Sequence, residues 1–237
     1  MTRDASTAPE TVGDAPPGPL HRAARFSSLA SRLSPRVFGC LALFVGISIL
    51  VVTGASMPWD TSVLVAVGQM RTPGLIELML GITMLNEGAV PVVAAVGMCM
   101  LLYRLGGRRP ARTLFWGALS GELLYLIAKA SFNRPRPEVI AKLSGGGWVS
   151  YPSGHTMMGP IIWSLGLILL ARERPRARTP LVVAAVLIPP LLAASRVVLG
   201  VHYPTDVLGG LALGSAWMFL WLERPSAAST SSAAPIT

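Results

Sequence analysis

Residues 153–171 read Ser-Gly-His-Thr-Met-Met-Gly-Pro-Ile-Ile-Trp-Ser-Leu-Gly-Leu-Ile-Leu-Leu-Ala, an apolar run whose reactive side chains are confined to its first few positions. As a helix rising 1.5 Å per residue, such a run is long enough to cross a hydrocarbon core of ~30 Å. Apolar runs of similar length lie at 37–55, 81–103 and 112–131 before it, and at 179–199 and 205–222 after it. They predict an all-α, polytopic membrane protein with six transmembrane helices in one bundle. Composition agrees: of 237 residues, 52% are hydrophobic and 13% charged, against roughly a quarter charged in soluble domains. A soluble cytosolic enzyme, a DNA-binding module and a disulfide-stapled secreted domain are excluded. The net charge of +9 does not point to nucleic acid, because the arginines lie at the ends of apolar runs, where membrane topology puts them. Cys40 and Cys99 fall inside such runs and behave there as small hydrophobes, with no disulfide and no metal site expected.

Residues 1–36 are rich in Ala, Pro, Ser, Thr and Arg, and 225–237 in Ser and Ala; both read as disordered tails around a transmembrane domain at 37–224. The basic leader and the long first apolar run favour an uncleaved anchor over a signal peptide. Thr61 to Met70 is apolar but too short to span, and residues 60–80 read as a short interfacial helix. Arg3, Arg22, Arg25, Arg32 and Arg36 precede the first span; Arg104, Arg108, Arg109 and Arg112 join the second to the third. Arg172, Arg174, Arg176 and Arg178 join the fourth to the fifth, and Arg224 follows the sixth. These outnumber Arg71, Lys129, Arg134, Arg136, Lys142 and Arg196 on the other side, so both termini are expected in the cytoplasm.

The cation-poor outer side nevertheless holds a cluster. The third span ends in Lys129-Ala-Ser-Phe-Asn-Arg134-Pro-Arg136-Pro137, and the fourth opens with Tyr151-Pro152-Ser153-Gly154-His155. The fifth ends in Ser195-Arg196, and His202-Tyr203-Pro204-Thr205-Asp206 opens the sixth. Since successive spans alternate in direction, these stretches meet at one membrane face. Lys129, Arg136 and Arg196 near hydrocarbon, without matching carboxylates, imply an anionic ligand. Guanidinium forks suit phosphate oxygens, and lysine acts as a point charge. Ser153 and Gly154 add a helix N-terminus with free N–H groups. Asp206, four residues after His202, can reach one imidazole nitrogen, fix the tautomer and leave the other nitrogen free to attack. His155, on another helix, could protonate a departing oxygen. Taken singly, each has a plainer role: a snorkelling Arg, an N-cap Ser, an interfacial His. A zinc site from His155, His202 and Asp206 is disfavoured by the three neighbouring cations. The joint pattern is a phosphate cradle with acid–base groups.

Lys129, six residues, Arg136-Pro137; then Pro152-Ser153-Gly154-His155; then Ser195-Arg196, five residues, His202, three residues, Asp206: this series resembles the type 2 phosphatidic acid phosphatase superfamily, membrane branch. The resemblance implies that His202 is the nucleophile forming a phosphohistidine, Asp206 its orienting partner, and His155 the acid and then the base. It implies that Lys129, Arg136, Ser153, Gly154 and Arg196 bind the phosphoryl oxygens, with no metal or other cofactor. The expected function is therefore an integral-membrane lipid phosphatase on the outer face of a bacterial cytoplasmic membrane. Its partner would be a phosphorylated lipid, preferably undecaprenyl pyrophosphate, with phosphatidylglycerophosphate or phosphatidic acid also fitting. A lipid phosphotransferase using the same phosphohistidine, or a non-enzymatic headgroup binder or transporter, are the alternatives. Oligomeric state has no signature. Outside the motifs, Arg134 reads as solvated, Glu122 as a partner or polar lining two turns before Lys129, and Gly210 and Gly214 as a close-packing pair. Gly145-Gly146-Gly147-Trp148 reads as a flexible loop over the site, while Asn86 and Glu87 interrupt the second span without an assigned role.

Overall fold

The computed structural model describes residues 34–224, so the expected tails lie outside the described residues except at their inner edges. The helices are α1 (Pro35–Val52), α2 (Met57–Gln69), α3 (Pro73–Thr83), α4 (Val90–Gly106), α5 (Arg108–Ser131), α6 (Gly154–Gly159), α7 (Leu165–Glu173), α8 (Arg178–Val198) and α9 (Pro204–Leu222). Pro58, Pro73, Pro91 and Pro204 each stand in a helix's first turn, where the missing N–H is not needed. Among the described residues no strand forms, apart from one isolated bridge between Pro135 and Val149.

Four helical stretches are long and apolar enough to cross a membrane: Pro35–Val52, Gly154–Glu173, Pro175–Val198 and Pro204–Leu222. A fifth arises if Pro73–Asn86 and Val90–Gly106, bent by 54° at their junction, count as one span. The expected six are thus met only in part. α5 is 24 residues long, but Arg108, Arg109, Arg112, Glu122 and Lys129 dilute its apolarity. The second span also begins earlier than 81: α3 starts at Pro73, and a tight turn at Met84–Asn86 followed by Gly88 (φ +56°) breaks it from α4. Two helices therefore occupy the stretch read as one short interfacial helix. α2 buries Asp60 and Leu64 completely and packs on α8 and α9.

Phe38 (68% exposed), Val93 (68%) and Val186 (65%) stand on the outer surface of the helices, which suits lipid rather than water as solvent. Inside, Leu102, Leu114, Leu165, Leu169, Leu170 and Met218 form one core, and Ala128, Met157, Met158, Ile161, Ile162 and Leu213 another closer to the catalytic end. Pro160, lacking an N–H, sits where the chain widens through a π-helical turn at Pro160–Ser164 between α6 and α7. The small pair on α9 packs as expected: a side chain on Gly210 would strike the Thr156 hydroxyl, and one on Gly214 the Met157 carbonyl. This close approach seats α6, which carries His155, against α9, which carries Asp206 and follows directly on His202.

Candidate active site

The turn between α8 and α9 is short because Gly200 takes φ +73°, the left-handed conformation that glycine adopts without steric cost. His202 and Tyr203 follow, and α9 starts at Pro204. The Asp206 carboxylate accepts from the Tyr203 N–H at 2.8 Å, capping α9 and fixing its own position beside the histidine. His202 Nδ1 lies 3.5 Å from Asp206 Oδ2. Ser150 stands beside both, 3.3 Å from Nδ1 and donating a short hydrogen bond to the same carboxylate oxygen. The direct bond expected from the four-residue spacing is thus supplemented by a serine that the sequence did not single out.

On the opposite edge of the ring, Arg136 Nη1 lies 3.3 Å from Nε2. A guanidinium only donates, so Nε2 accepts and Nδ1 carries the proton toward Ser150 and Asp206. His202 is 2% exposed, and burial lowers its pKa to about 3 despite the Asp206 carboxylate. The imidazole is therefore neutral across the physiological range, with a lone pair on Nε2. Burial also lowers the Arg136 pKa, with Asp206 and Tyr125 opposing it, but a guanidinium so shifted remains charged.

The cations line the same cavity as His202. Lys129, in the last turn of α5, donates to the Ser150 and Pro152 carbonyls at 3.2 and 3.1 Å. Arg136 also donates to the Val201 carbonyl at 2.8 Å. Arg196, only 1% exposed, donates to Thr83 Oγ1 at 2.7 Å and to the Gly145 carbonyl at 3.0 Å. The glycine run therefore wraps the arginines: a Cβ on Gly146 would strike the Arg136 guanidinium, and Trp148 stands 96% exposed beyond it. Ser153 does not cap α6 with its side chain. Its hydroxyl, together with Nε of Arg136 and of Arg196, is buried without a hydrogen-bond partner among the described residues. Buried polar atoms are rarely left so; these three belong to residues expected to hold an anion.

Lys129, Arg136, Gly154, His155, Arg196 and His202 line one cavity of about 1030 Å³. Ser153 and Asp206 lie in the wall behind them, fully buried. Away from the charged end, the cavity walls turn apolar along α4 and α5, with Val92, Val96, Met100, Phe115 and Leu119. Glu122 and Tyr125 also line it, so Glu122 is polar lining and not the partner of a buried cation.

Two expectations need correction, and a third point concerns residues left without a role. Arg134 is not solvated: it is 9% exposed, with Nη1 2.7 Å from Asp206 Oδ1 and Nη2 2.6 Å from Asp60 Oδ2. Asp60 in turn accepts from the Thr205 N–H at 2.9 Å and the Thr205 hydroxyl at 2.6 Å. Burial works against the Arg134 charge, but the two carboxylates outweigh it and raise its pKa. Second, Arg196 does have a carboxylate nearby, Glu87 at 3.7 Å. Third, Asn86 and Glu87 belong to the site. Asn86 donates to the His155 carbonyl at 2.8 Å and accepts from Trp163 Nε1 at 2.9 Å, while Glu87 Oε2 lies 3.0 Å from His155 Nε2. The available signals were two polar residues breaking an apolar span and a lone carboxylate in a short apolar stretch.

Comparison with known proteins agrees with this geometry. Residues 110–228 match the family model described as PAP2 superfamily. Phosphatidylglycerophosphatase B of Bacillus subtilis is 32% identical over 173 residues, covering 71% of this chain and 84% of that protein. Decaprenylphosphoryl-5-phosphoribose phosphatase of Mycobacterium tuberculosis is 29% identical over 163 residues, 66% of this chain and 85% of the other. The crystal structure of a transmembrane PAP2-type phosphatidylglycerolphosphate phosphatase from Bacillus subtilis superposes with a TM-score of 0.75 at 26% identity, over 80% of this chain and 95% of that one. The motif residues at one end of an apolar helical bundle, the matched family model and relatives of comparable length lead to one conclusion: this chain belongs to the PAP2 superfamily, among its membrane-embedded phosphatases.

Proposed function

We propose that the protein hydrolyses a terminal phosphate from a membrane lipid through a phosphohistidine on His202. The observation that carries this reading is that Lys129, Arg136, His155, Arg196 and His202 line one cavity, with Ser153 Oγ, Arg136 Nε and Arg196 Nε buried and unpartnered among the described residues and a neutral imidazole whose Nε2 keeps its lone pair. The Nε2 lone pair attacks phosphorus while Lys129, Arg136, Arg196, Ser153 and the N–H groups at Gly154 take the equatorial oxygens. The ester P–O bond breaks, and the leaving oxygen takes a proton from His155. His155 then accepts a proton from water as that water attacks phosphorus, the P–N bond breaks, and inorganic phosphate leaves with Nε2 restored. Asp206 and Ser150 hold the ring and stabilise its positive charge in the intermediate. Three fixed cations supply the charge neutralisation that a divalent metal provides elsewhere, so the reaction is metal-independent.

α5 completes six crossings in this reading: its 24 residues span ~36 Å, and Glu122 and Lys129 face the cavity instead of lipid. Arg36 pairs with Glu223 at 3.5 Å, so α1 begins and α9 ends at the same end of the bundle. The arginine-rich connections lie at that end, which supports a cytoplasmic position for it and an outer-face active site. The apolar extension of the cavity suits a lipid tail. Phosphatidylglycerophosphate is the first candidate substrate, given the relatives' names, with undecaprenyl pyrophosphate and phosphatidic acid as competitors. Detergent-purified protein is expected to release inorganic phosphate from phosphatidylglycerophosphate faster than from the other two, and equally fast with EDTA present. Loss of turnover in EDTA would contradict metal independence. A folded protein that releases phosphate from none of the three, yet phosphorylates an added lipid alcohol, would establish phosphotransfer instead.

A further inference from the structure

The break between α3 and α4 is built around Asn86 and Glu87, and nothing in the phosphate cradle requires it. A straight helix would satisfy its backbone at lower cost. Instead the chain tightens at Met84–Asn86 and turns at Gly88. Asn86 then fastens this break to the helix bearing His155, through the His155 carbonyl and Trp163. Glu87 is thereby held with Oε2 3.0 Å from His155 Nε2. The other ring nitrogen, Nδ1, makes no hydrogen bond to the described residues, and His155 lines the cavity. His202 shows the converse arrangement, with Nδ1 facing its carboxylate and Nε2 unprotonated and turned to Arg136.

The environment of His155 gives this pairing a purpose. Arg196 Nη1 lies 3.7 Å from the same Glu87 oxygen and Arg136 lines the same cavity, so fixed cations stand around the ring, yet a general acid must carry a proton when the leaving oxygen departs. Glu87 is the carboxylate in contact with it. We infer that Glu87 is the positioning residue of the leaving-group acid: it fixes the His155 ring through Nε2, holds the imidazolium against the neighbouring cations, and presents the Nδ1 proton to the leaving oxygen. The inference rests on the phosphatase reading above. In the step, the Nδ1–H bond breaks as the oxygen gains the proton, and neutral His155 keeps its Nε2 proton against Glu87.

A matched pair of substrates separates this from a merely structural role. From dioctanoyl phosphatidic acid the leaving group is the diacylglycerol alkoxide, which needs the proton; from its analogue with sulfur in the bridging position it is a thiolate, which does not. Glu87→Gln is expected to lower kcat/KM for the oxygen ester by roughly 10²-fold, in line with the loss of general-acid assistance. The sulfur ester should change by less than about threefold, since proton transfer contributes little there. Glu87→Asp should recover part of the oxygen-ester rate. Equal losses on both esters would overturn the inference, as would a fall in KM on both with kcat unchanged, which would make Glu87 a competitor of phosphate at Arg196. Should the glutamine variant not fold, Glu87→Asp carries the same comparison, with a smaller loss expected on the oxygen ester alone. Failure of the wild-type protein to cleave either ester would count against the phosphatase reading itself.

Discussion

His202→Ala is expected to lower phosphate release by at least roughly 10⁴-fold, as removal of a nucleophile from a concerted catalytic unit does. The remaining cradle would still bind the phosphoryl group, so KM should move far less than kcat. The reason lies in the geometry of the ring. Nδ1 is committed to Ser150 and Asp206, and Nε2 is the nitrogen facing the cavity. No neighbouring side chain can substitute: Arg136 is a donor only, and the Ser150 hydroxyl is spent on the Asp206 carboxylate. Phosphate release and circular dichroism on the same preparation check the loss against the fold. Residual turnover within tenfold of wild type would mean that another group attacks phosphorus.

Arg134→Met has the second largest expected effect, this time on stability. It strips the countercharge from two fully buried carboxylates, Asp60 and Asp206, while nearly matching the side chain's apolar volume. Breaking one partner out of a buried ionic group typically costs about 3–5 kcal/mol. The thermal midpoint in detergent should fall accordingly, and activity with it, because Asp206 loses the contact that fixes its second oxygen. Adding Asp60→Asn should cost less than the sum of the two single changes, since the residues share one network. A midpoint for Arg134→Met equal to that of wild type would return Arg134 to the solvated role that its sequence position suggests.

That contrast shows where the sequence was legible. Lys129, Arg136, His155, Arg196 and His202 stood out because each is a polar group at the end of an apolar run, where only a ligand or a partner explains it. Asp206 was readable through its spacing from His202. Arg134 was misread because its partner Asp60 is 74 residues away, at the start of a stretch that reads only as an interfacial helix. Ser150 gave no signal, as an isolated serine in a loop has many ordinary roles. Glu87 and Asn86 were visible as an interruption of a span, but which helix they would face depended on the 54° bend. The same bend explains the span count: hydropathy reads one long run where the backbone makes two limbs, and α5 trades apolarity for the polar residues that line the cavity.

The most direct test of the account is to trap the covalent intermediate. Protein mixed with radiolabelled phosphatidylglycerophosphate and quenched in alkali within a turnover should carry label that survives base and is lost in acid, as a phosphoramidate does. Peptide mapping should place it on His202, with His202→Ala unlabelled. Steady turnover without a labelled protein, or label on His155 instead, would contradict the nucleophile assignment and with it the mechanism built around Nε2.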